Sequence, residues 1–489
     1  MRHPTPEDYK DAARRGLSNP VLQAAMADIQ NRLGPATALA YQALPEGPGL
    51  RDTAHDLRMS AIENLDILLA AFAERVREHG GHVLCAPDAQ TAVAHVLDIA
   101  QRHAVRRIVK GKSMLSEEIG LNPALVEAGI EVMETDLGEY IVQLAGDRPS
   151  HILGPAMHMT RREIGALFTE HLGIPYSEDP PTLTLAARRA LRDKFFKADM
   201  GISGCNLACA ETGHITILSN EGNVRMATTL PKVHVALMGM ERIAARLEDH
   251  DVLLRLLSTG ATSQKMATYV SYVGGPRSPD FEDGPEHFYV VIVDNGRSRI
   301  LADPVFREIL CCIRCSACLN VCPIYRKIGG HAYGSIYSGP IGAVITPVLW
   351  GIERGKHLCQ GETLCGACED ACPVHIRIPK LLLELRARLA EGDPAWGTRP
   401  APIAERLAYK AWARMACNPR VYHLFMQAAS FAQRLLPRRT GMLRRLPPPF
   451  DGWTFSRDMP PLARRRFLAG RPSRRAMNRR WPLKHRAGG

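Results

Sequence analysis

The sequence lacks the features of several common enzyme and membrane classes. It has no G-x-G-x-x-G run after a predicted strand and no G-x-x-x-x-G-K-[ST] run, so a Rossmann nucleotide site and a P-loop are both unsupported. No apolar run reaches the roughly 18 residues of a membrane span. The longest, 339–351, is short and carries two prolines. The first residues are polar and unlike a signal peptide, so we expect a cytoplasmic protein.

Acidic residues are scarce at the C-terminal end. Residues 431–489 contain 16 Lys and Arg but only two Asp, whereas the first 430 residues hold 46 basic and 48 acidic residues. The net charge of +12 therefore belongs to this tail and says little about the main body. A basic arm can bind nucleic acid, anionic lipid or an acidic partner. Its proline and arginine content favours a solvated, partly disordered extension.

Cysteine, in contrast, is abundant, with 13 residues in the chain. The run 312–323 reads CIRCSACLNVCP, which is the C-x2-C-x2-C-x3-C-P spacing of bacterial [4Fe–4S] ferredoxins. The run 365–373 reads CGACEDACP and has three cysteines, because Glu362 stands where the full spacing would place another. In two-cluster ferredoxins the fourth cysteine of a run ligates the other cluster. The two runs therefore predict two [4Fe–4S] clusters.

Other uses of these cysteines are less consistent with the pattern. Zinc is the main alternative because C-x2-C pairs suit tetrahedral zinc, but zinc motifs rarely use three close cysteines with a trailing C-P. A disulfide framework belongs to small secreted chains, and this chain has 489 residues. The cysteines outside the motifs are expected to be structural; they are Cys85, Cys205, Cys209, Cys311 and Cys417. If Cys205 and Cys209 lie on a helix, they share one face.

Before the cysteines, predicted strands alternate with predicted helices. The strands are expected at 82–85, 107–109, 130–133, 152–153, 214–218, 232–237 and 288–293. The helices are expected at 56–77, 89–103, 116–128, 137–144, 157–171, 182–198, 301–310, 379–391 and 400–436. This alternation is typical of an α/β fold whose mostly parallel sheet is covered by helices on both faces.

The same patterns divide the chain into four parts. Residues 1–50 are a helical arm interrupted by prolines, and residues 51–300 are the α/β domain. Residues 301–390 are a helical, ferredoxin-like cluster domain, and residues 391–489 are a helical segment followed by the basic tail.

Several longer stretches resemble a known family. The α/β domain holds KGKSMLSEEIGLN, ETDLGEYIVQL, PSHILGPAMH, AETG, SNEGNVR and VDNGR. The later regions hold CIRCSACLNVCPIYRKIGGHAYG, SGPIGAVITP, LCGACEDACPV and FDGWTFSRDMP. In this order, along nearly the whole chain, they resemble the lactate utilization protein B family of iron–sulfur proteins with an N-terminal LUD domain. The resemblance implies a fold like that of the sugar-phosphate isomerase and CoA-transferase group.

The resemblance also implies a function. The chain would be one member of a three-protein system that oxidises L-lactate to pyruvate, and it would carry electrons. Its partners would be a cysteine-rich iron–sulfur subunit and a small LUD subunit, with a membrane or quinone-linked acceptor; nucleic acid is not an expected partner. Two alternatives stand beside this hypothesis: a LUD-domain enzyme acting directly on a small hydroxy acid, and a redox-sensing regulator that binds nucleic acid through the tail.

Carried over by motif, the family's ligands fall into two sets. Cys312, Cys315, Cys318 and Cys372 would hold the first cluster, and Cys322, Cys365 and Cys368 would hold the second. The second cluster then has three sulfur ligands. Cys359, six residues before Cys365, is one candidate for the fourth. The alternatives are an open site, or one filled by a partner or by water.

A candidate ligand pocket lies in the α/β domain. Lys110, Lys112 and Ser113 follow a predicted strand and open a helix, where an anion can sit on backbone N–H groups. The polar segments 211–213 and 220–223 flank another strand and would form the other half. A working pocket would suit a carboxylate such as lactate. Simple helix capping by Ser113 is the alternative. His151 and His158 are seven residues apart and could form a metal pair, but no carboxylate or cysteine is identified that completes a site, so core or surface histidines are expected.

Overall fold

The computed structural model describes residues 5–47, 49–436, 438–439, 441–448, 450–454 and 457–463. Described residues up to Pro400 belong to one compact unit, and those from Ala401 belong to a second. Within the described ranges, no helix has both the length and the apolar content needed to cross a membrane. Most of the predicted basic tail, from residue 464 on, lies outside the described residues.

Helices make up much of both units. In chain order the α-helices are α1 (Pro6–Ser18), α2 (Pro20–Gln42), α3 (Gly49–Glu63), α4 (Leu65–Glu78), α5 (Ala89–Arg102), α6 (Met114–Glu118), α7 (Leu121–Glu127), α8 (Leu137–Leu144), α9 (Arg161–Leu172), α10 (Pro180–Lys197), α11 (Asn223–Thr229), α12 (Leu247–Thr262), α13 (Arg297–Ala302), α14 (Pro323–Ile328), α15 (Gly339–Trp350), α16 (Ile352–Gln360), α17 (Ala367–Asp370), α18 (Ile378–Glu391), α19 (Ile403–Cys417) and α20 (Pro419–Ala432). Short 3-10 turns lie at Phe306–Cys311, Leu319–Val321, His331–Tyr333, Pro394–Trp396, Gln433–Leu435 and Asp451–Thr454.

Within the described ranges, the strands form three sheets. They are β1 (His82–Ala86), β2 (Arg107–Lys110), β3 (Glu131–Glu134), β4 (Met200–Gly204), β5 (Leu207–Cys209), β6 (Ile215–Ser219), β7 (Val233–Gly239), β8 (Ile243–Ala244), β9 (Tyr269–Val273), β10 (His287–Val293), β11 (Arg438–Arg439) and β12 (Met442–Leu443). The last two pair as a short antiparallel ribbon in the second unit.

The central sheet has six parallel strands in the order β1-β10-β7-β4-β2-β3. In its middle, Val290 of β10 is in register with Ala236 of β7. Every residue of β7 is buried, as are six of the seven residues of β10. Strands covered on both faces read as continuous apolar runs, which is why both were visible in the sequence. The predicted mostly parallel sheet is confirmed.

A second, mixed sheet has the order β8-β5-β6-β9. Here β6 runs antiparallel to both β5 and β9. The strand predicted at 214–218 exists but belongs to this sheet. Cys209 lies in β5 and Cys205 precedes it, so the two cysteines do not share a helix.

Two differences from the predicted strands have local causes. No strand forms at 152–153, because the His151 ring nitrogen Nδ1 accepts the backbone N–H groups of Leu153 and Gly154 at 3.1 and 3.2 Å. Strand β4 was missed because its sequence, MGISG, contains two glycines. Gly201 is required there, since a Cβ atom would lie 1.7 Å from the carbonyl oxygen of Ala227 in α11.

Several predicted helices have different bounds. The segment 116–128 is split between α6 and α7 at Gly120, whose φ is 68°. The segment 301–310 is not one helix. Its first two residues end α13, and a 3-10 turn begins at Phe306, because Asp303 precedes a proline and adopts an extended conformation. Conversely, α2 continues through Pro35, which was expected to interrupt the arm.

The N-terminal helices pack on the cysteine region. The Gln30 side-chain amide donates to the carbonyl oxygens of Leu319 and Cys322 at 2.7 and 3.0 Å. Arg51 Nε donates to the Cys372 carbonyl at 3.1 Å. The apolar run 339–351 forms α15, which is buried from Gly339 to Val348. The run is therefore a core helix, and its hydrophobicity serves packing in this region.

Candidate functional site

The first group of cysteines surrounds the loop 312–318. Cys312, Cys315 and Cys318 interact electrostatically with one another and with Cys372 from the second run. All but Cys312 are buried. Burial and the neighbouring thiols raise the pKa of Cys318 well above its usual value, and burial raises that of Cys372 to about 12. The thiols of Cys315, Cys318 and Cys372 therefore stay neutral near pH 7 unless a cation joins them.

The backbone of this loop turns through two left-handed residues. Arg314 has φ 59° and Ser316 has φ 62°, a conformation that is uncommon outside glycine. The turn brings the Arg314 N–H within 3.4 Å of Cys312 Sγ. Cys322 and Cys372 accept similar N–H bonds at 3.4 Å, from Tyr325 and Ile376. Such bonds stabilise thiolate sulfur and tune the potential of a bound cluster.

The second group brings Cys322 together with Cys365 and Cys368. Cys322 interacts with Cys368, and Cys368 with Cys365. Cys322 and Cys368 are buried, whereas Cys365 is exposed. Glu362 joins them, since its carboxylate Oε2 lies 3.7 Å from Cys322 Sγ and interacts electrostatically with Cys368.

Cys359 has different surroundings. Its thiol is buried and donates to the carbonyl oxygen of Lys356 at 3.2 Å. Burial raises its pKa to about 11, partly offset by Arg386. None of the contacts or electrostatic interactions found for Cys359 among the described residues involves another cysteine.

The two groups fit iron–sulfur clusters by the chemistry of their donors. Each gathers at least three thiols from short loops, and thiolates are the ligands that such clusters use. The nearby arginines hydrogen-bond to backbone oxygens of the cysteines: Arg242 Nη1 donates to the Cys312 carbonyl at 3.2 Å, and Arg51 donates to the Cys372 carbonyl.

A cavity of about 310 Å³ lies next to the first cysteine loop. Its walls come from segments that follow the carboxyl ends of β2, β4 and β7, the edge where open α/β sheets usually bind ligands. Of the residues singled out in the sequence, the lining includes Lys112, Ser113, Asn220, Glu221 and Asn223. Ser113 also caps α6 through the N–H of Ser116 at 3.3 Å, so the predicted capping role is present as well.

Lys110 and the segment 211–213 do not line this cavity. Lys110 is buried in ion pairs with Glu134 at 2.8 Å and Glu117 at 3.5 Å. Burial lowers the pKa of Lys110, but the two carboxylates outweigh it and raise the pKa. Glu211 accepts the backbone N–H of Leu247 at 3.0 Å, at the start of α12.

A buried ion-pair network forms one wall of the cavity. Arg297 binds both carboxylate oxygens of Glu118, at 2.8 and 2.9 Å, and its Nε donates to Glu241 at 2.7 Å. Tyr337 donates to Glu118 at 2.5 Å. Burial would raise the pKa of Glu241, but Arg297, Arg242 and Arg314 hold it at about 2. Both carboxylates of this network are therefore ionised.

Arg242 and Arg314 bring further positive charge to the same wall. Arg314 Nη2 lies 3.6 Å from Glu241, and its guanidinium stacks on the Tyr337 ring at 4.5 Å. The Arg314 side chain is only 8% exposed, and its Nη1 has no hydrogen-bond partner among the described residues. Three arginines thus face two carboxylates in this network. Sequence reasoning missed them, because no local signal connects residues so far apart along the chain.

The two histidines considered as a pair do not share a site. His151 is buried, and burial lowers its pKa to about 3. His158 Nε2 instead lies 3.0 Å from Asp147 Oδ2, with His331 nearby. His331 Nε2 is 2.7 Å from the carbonyl oxygen of Arg148.

Three family models match the chain in succession. The LUD domain matches residues 69–293, and the 4Fe-4S dicluster domain matches residues 308–376. The lactate utilisation protein B C-terminal model matches residues 396–469.

Curated relatives align over nearly the whole chain. Lactate utilization protein B of Bacillus licheniformis is 42% identical over 462 residues, covering 94% of this chain and 95% of that protein. An Escherichia coli K12 protein named uncharacterized electron transport protein YkgF is 45% identical over 426 residues, covering 87% and 88%. A solved structure of a DUF162 family protein from Deinococcus radiodurans covers 47% of this chain and 98% of that one, with 13% identity and a TM-score of 0.27.

Proposed function

The chain belongs to the lactate utilization protein B family, and we propose that it is an iron–sulfur electron carrier in the oxidation of L-lactate to pyruvate. The observation that carries the proposal is the gathering of seven motif cysteines into two groups within one region. The match to a 4Fe-4S dicluster domain over the same residues supports it.

The first [4Fe–4S] cluster would be held by Cys312, Cys315, Cys318 and Cys372. The second would be held by Cys322, Cys365 and Cys368, and Cys359 remains a predicted candidate for its fourth ligand. When bound, such clusters accept and release one electron at a time. Cys318 interacts with Cys368 as well as with its own group, which supports a short path between the two sites.

Other residues of the chain would stabilise the clusters and control their exposure to solvent. The N–H bonds to Cys312, Cys322 and Cys372 stabilise the thiolates, and the buried helix α15 excludes water on one side. The exposed Cys365 places the second site nearer to solvent, which suits exchange of electrons with another protein.

Lactate oxidation releases two electrons and two protons together, so the carrier needs partners. We propose a multi-protein system with a cysteine-rich iron–sulfur subunit and a small LUD subunit. We also retain the division into an arm (1–50), a LUD domain (51–300), a cluster domain (301–390) and a C-terminal segment (391–489). The ranges of the matched family models support the last three parts.

Anaerobic purification followed by iron, zinc and acid-labile sulfide analysis tests the proposal. We expect about eight iron and eight sulfide per chain, with magnetically interacting EPR signals after reduction. Reduction of these clusters by L-lactate only in the presence of both partner subunits would support the carrier role. Stoichiometric zinc, or clusters that L-lactate reduces without partners, would contradict it.

A second function is favoured by Arg314 Nη1 at the cavity, which finds no hydrogen-bond partner in the part of the chain that the structure describes. We propose that the cavity binds a small carboxylate such as a hydroxy acid, with Arg314 and Arg242 facing the anion. Lys112, which also lines the cavity and contacts the Leu153 carbonyl at 2.6 Å and Asp136 at 3.5 Å, would add positive charge there.

Calorimetric titration of the cluster-loaded protein with L-lactate, pyruvate and phosphate tests this second function. We expect saturable binding of a carboxylate that is lost in Arg242→Gln, while Arg102→Gln on the exposed face of α5 retains it. Absence of any saturable heat for the wild-type protein would exclude it.

A further inference from the structure

The two cysteine runs repeat the same backbone turn. In the first run, the left-handed residues Arg314 (φ 59°) and Ser316 (φ 62°) flank a cysteine on either side. In the second run, Leu364 (φ 57°) and Gly366 (φ 89°) flank a cysteine in the same way. Non-glycine residues with positive φ are uncommon, so Arg314 and Leu364 at matching positions indicate one loop geometry used twice.

This repeat defines which residue begins each turn. Cys312 stands two positions before Arg314, and Glu362 stands two positions before Leu364. Glu362 therefore occupies the backbone position that holds the first sulfur ligand in the first run. From this position the Glu362 side chain reaches the second cysteine group, since its Oε2 lies close to Cys322 Sγ.

The Glu362 carboxylate has the surroundings expected of a ligand. Its Oε2 lies 3.7 Å from Cys322 Sγ, and its Oε1 accepts the Tyr333 hydroxyl at 3.0 Å. Arg386 donates to the main-chain carbonyls of Glu362 and Cys359 at 2.7 Å, which fixes the backbone. Across the described ranges, no Lys, Arg or His side chain forms an ion pair with this carboxylate. Glu362 is half-buried, and Arg386 acts on its carboxylate electrostatically without forming an ion pair with it. Bound iron would add a cation in direct contact with this carboxylate.

We propose that the Glu362 carboxylate is the fourth protein ligand of the second [4Fe–4S] cluster, completing the set of Cys322, Cys365 and Cys368. The proposal rests on the function proposed above, and it assigns to Glu362 the position for which Cys359 is the alternative. Arg386 acts on both side chains, but the Cys359 thiol donates to a carbonyl oxygen, whereas Glu362 interacts with both Cys322 and Cys368.

The assignment makes the two clusters chemically unequal. A carboxylate oxygen is a harder and weaker electron donor to iron than a thiolate, so one iron of the second cluster differs from the other seven. That iron should dissociate more readily and should be the first lost on oxidation. Replacing the carboxylate by a thiolate should lower the reduction potential of the second cluster alone.

Glu362→Cys, Glu362→Ala and Cys359→Ser test the proposal in the full-length, anaerobically purified protein. For protein from cells grown on isotopically enriched iron, the Mössbauer spectrum of the wild type should show one oxygen-ligated iron site. Glu362→Cys should abolish this site and still bind about eight iron per chain. Glu362→Ala should lose about one iron and show the EPR signal of an oxidised [3Fe–4S] centre. Cys359→Ser should match the wild type.

Several results would overturn the assignment. Identical Mössbauer spectra for the wild type and Glu362→Cys would mean that Glu362 only hydrogen-bonds to Cys322. Iron loss in Cys359→Ser would identify Cys359 as the ligand instead. Should Glu362→Ala not fold, the comparison of Glu362→Cys with the wild type still decides. A wild-type protein without two clusters would refute the proposed function, whereas two clusters indifferent to Glu362 would refute this assignment alone.

Discussion

The cavity wall and the cysteine groups are both buried and polar, but they balance charge differently. In the cavity wall, Arg297 bridges Glu118 and Glu241, so each carboxylate meets a cation. In the cysteine groups, Arg51 and Arg242 donate to carbonyl oxygens, and burial raises the pKa values of Cys368 and Cys372 to about 12, so these two thiols are neutral. The carboxylates of the cavity wall are therefore balanced by protein side chains, whereas the buried thiols need metal to become charged donors.

Removing iron gives the strongest test of this difference. After chelation under reducing conditions, we expect amides of the cysteine loops and α17 to lose hydrogen-exchange protection on the order of a hundredfold or more, because metal binding and local folding are coupled. Strands β7 and β10 should keep their protection, since their core is apolar. Equal loss in both regions, measured by mass spectrometry, would contradict the comparison.

Single cysteine substitutions should separate the two groups. Cys318→Ser and Cys365→Ser should each lose about four iron, but Cys318→Ser should lower the melting temperature more. Its hydroxyl would be buried, at a cost of about 1–3 kcal/mol if unpaired, whereas Cys365 is exposed. Iron analysis and thermal denaturation measure both effects. Cys85→Ser, exposed in β1, is the control and should retain about eight iron.

Substitution of Arg297 tests the charge balance of the buried ion pairs in the cavity wall. Arg297→Met would leave Glu118 and Glu241 buried without their main partner, so we expect the free energy of unfolding to fall by about 3–5 kcal/mol. Arg102→Met, which removes an exposed pair with Asp98, should cost at most about 1 kcal/mol. Anaerobic urea denaturation compares them, and similar losses would show that the network is not a buried ion-pair system.

Glu139 is a buried carboxyl group of the α/β domain whose charge is not balanced by a cation in the way that those of Glu118 and Glu241 are. Burial, then Glu134, raises the pKa of Glu139 to about 8, although Lys110 opposes this. In the folded state the group stays protonated above pH 4.5, whereas in the unfolded state it ionises near that value. The unfolding free energy contributed by this group is therefore full below pH 4.5 and is lost as the pH rises towards 8.

We expect the wild type to lose about 2 kcal/mol of unfolding free energy between pH 6 and 8 through this group. Glu139→Gln keeps a neutral side chain of similar shape and should show a correspondingly flatter dependence. Urea denaturation at both pH values measures the difference. Parallel slopes for the two proteins would mean that Glu139 is ionised in the folded state.

Much of the fold followed from local patterns. Strands β1, β2, β7 and β10 were predicted because each contains a short apolar run. Strand β4 was missed because its glycines serve the approach of α11 rather than strand propensity. The strand expected at 152–153 is absent, since His151 takes its N–H groups. Each miss reflects a contact that sequence periodicity does not contain.

The cavity shows the same limit more clearly. Lys112 and Ser113 were singled out by their place after a strand, and both line it. Lys110 was singled out by the same position after a strand, but its side chain forms a buried ion pair with Glu134 and does not line the cavity. Arg242 and Arg314, which carry the proposed anion site, come from segments about 70 residues apart and share no local motif.

The sequence by itself determined the chemistry of the cysteine region. The thiol donors of each loop lie within a few residues of one another, and their spacing indicates the kind of metal centre that they can bind. Tertiary structure decided which charges meet: Arg297 with Glu118, across 179 residues, and Glu362 with Cys322, across 40. Short loops encode their geometry locally, whereas the pairing of buried charges depends on how distant segments pack.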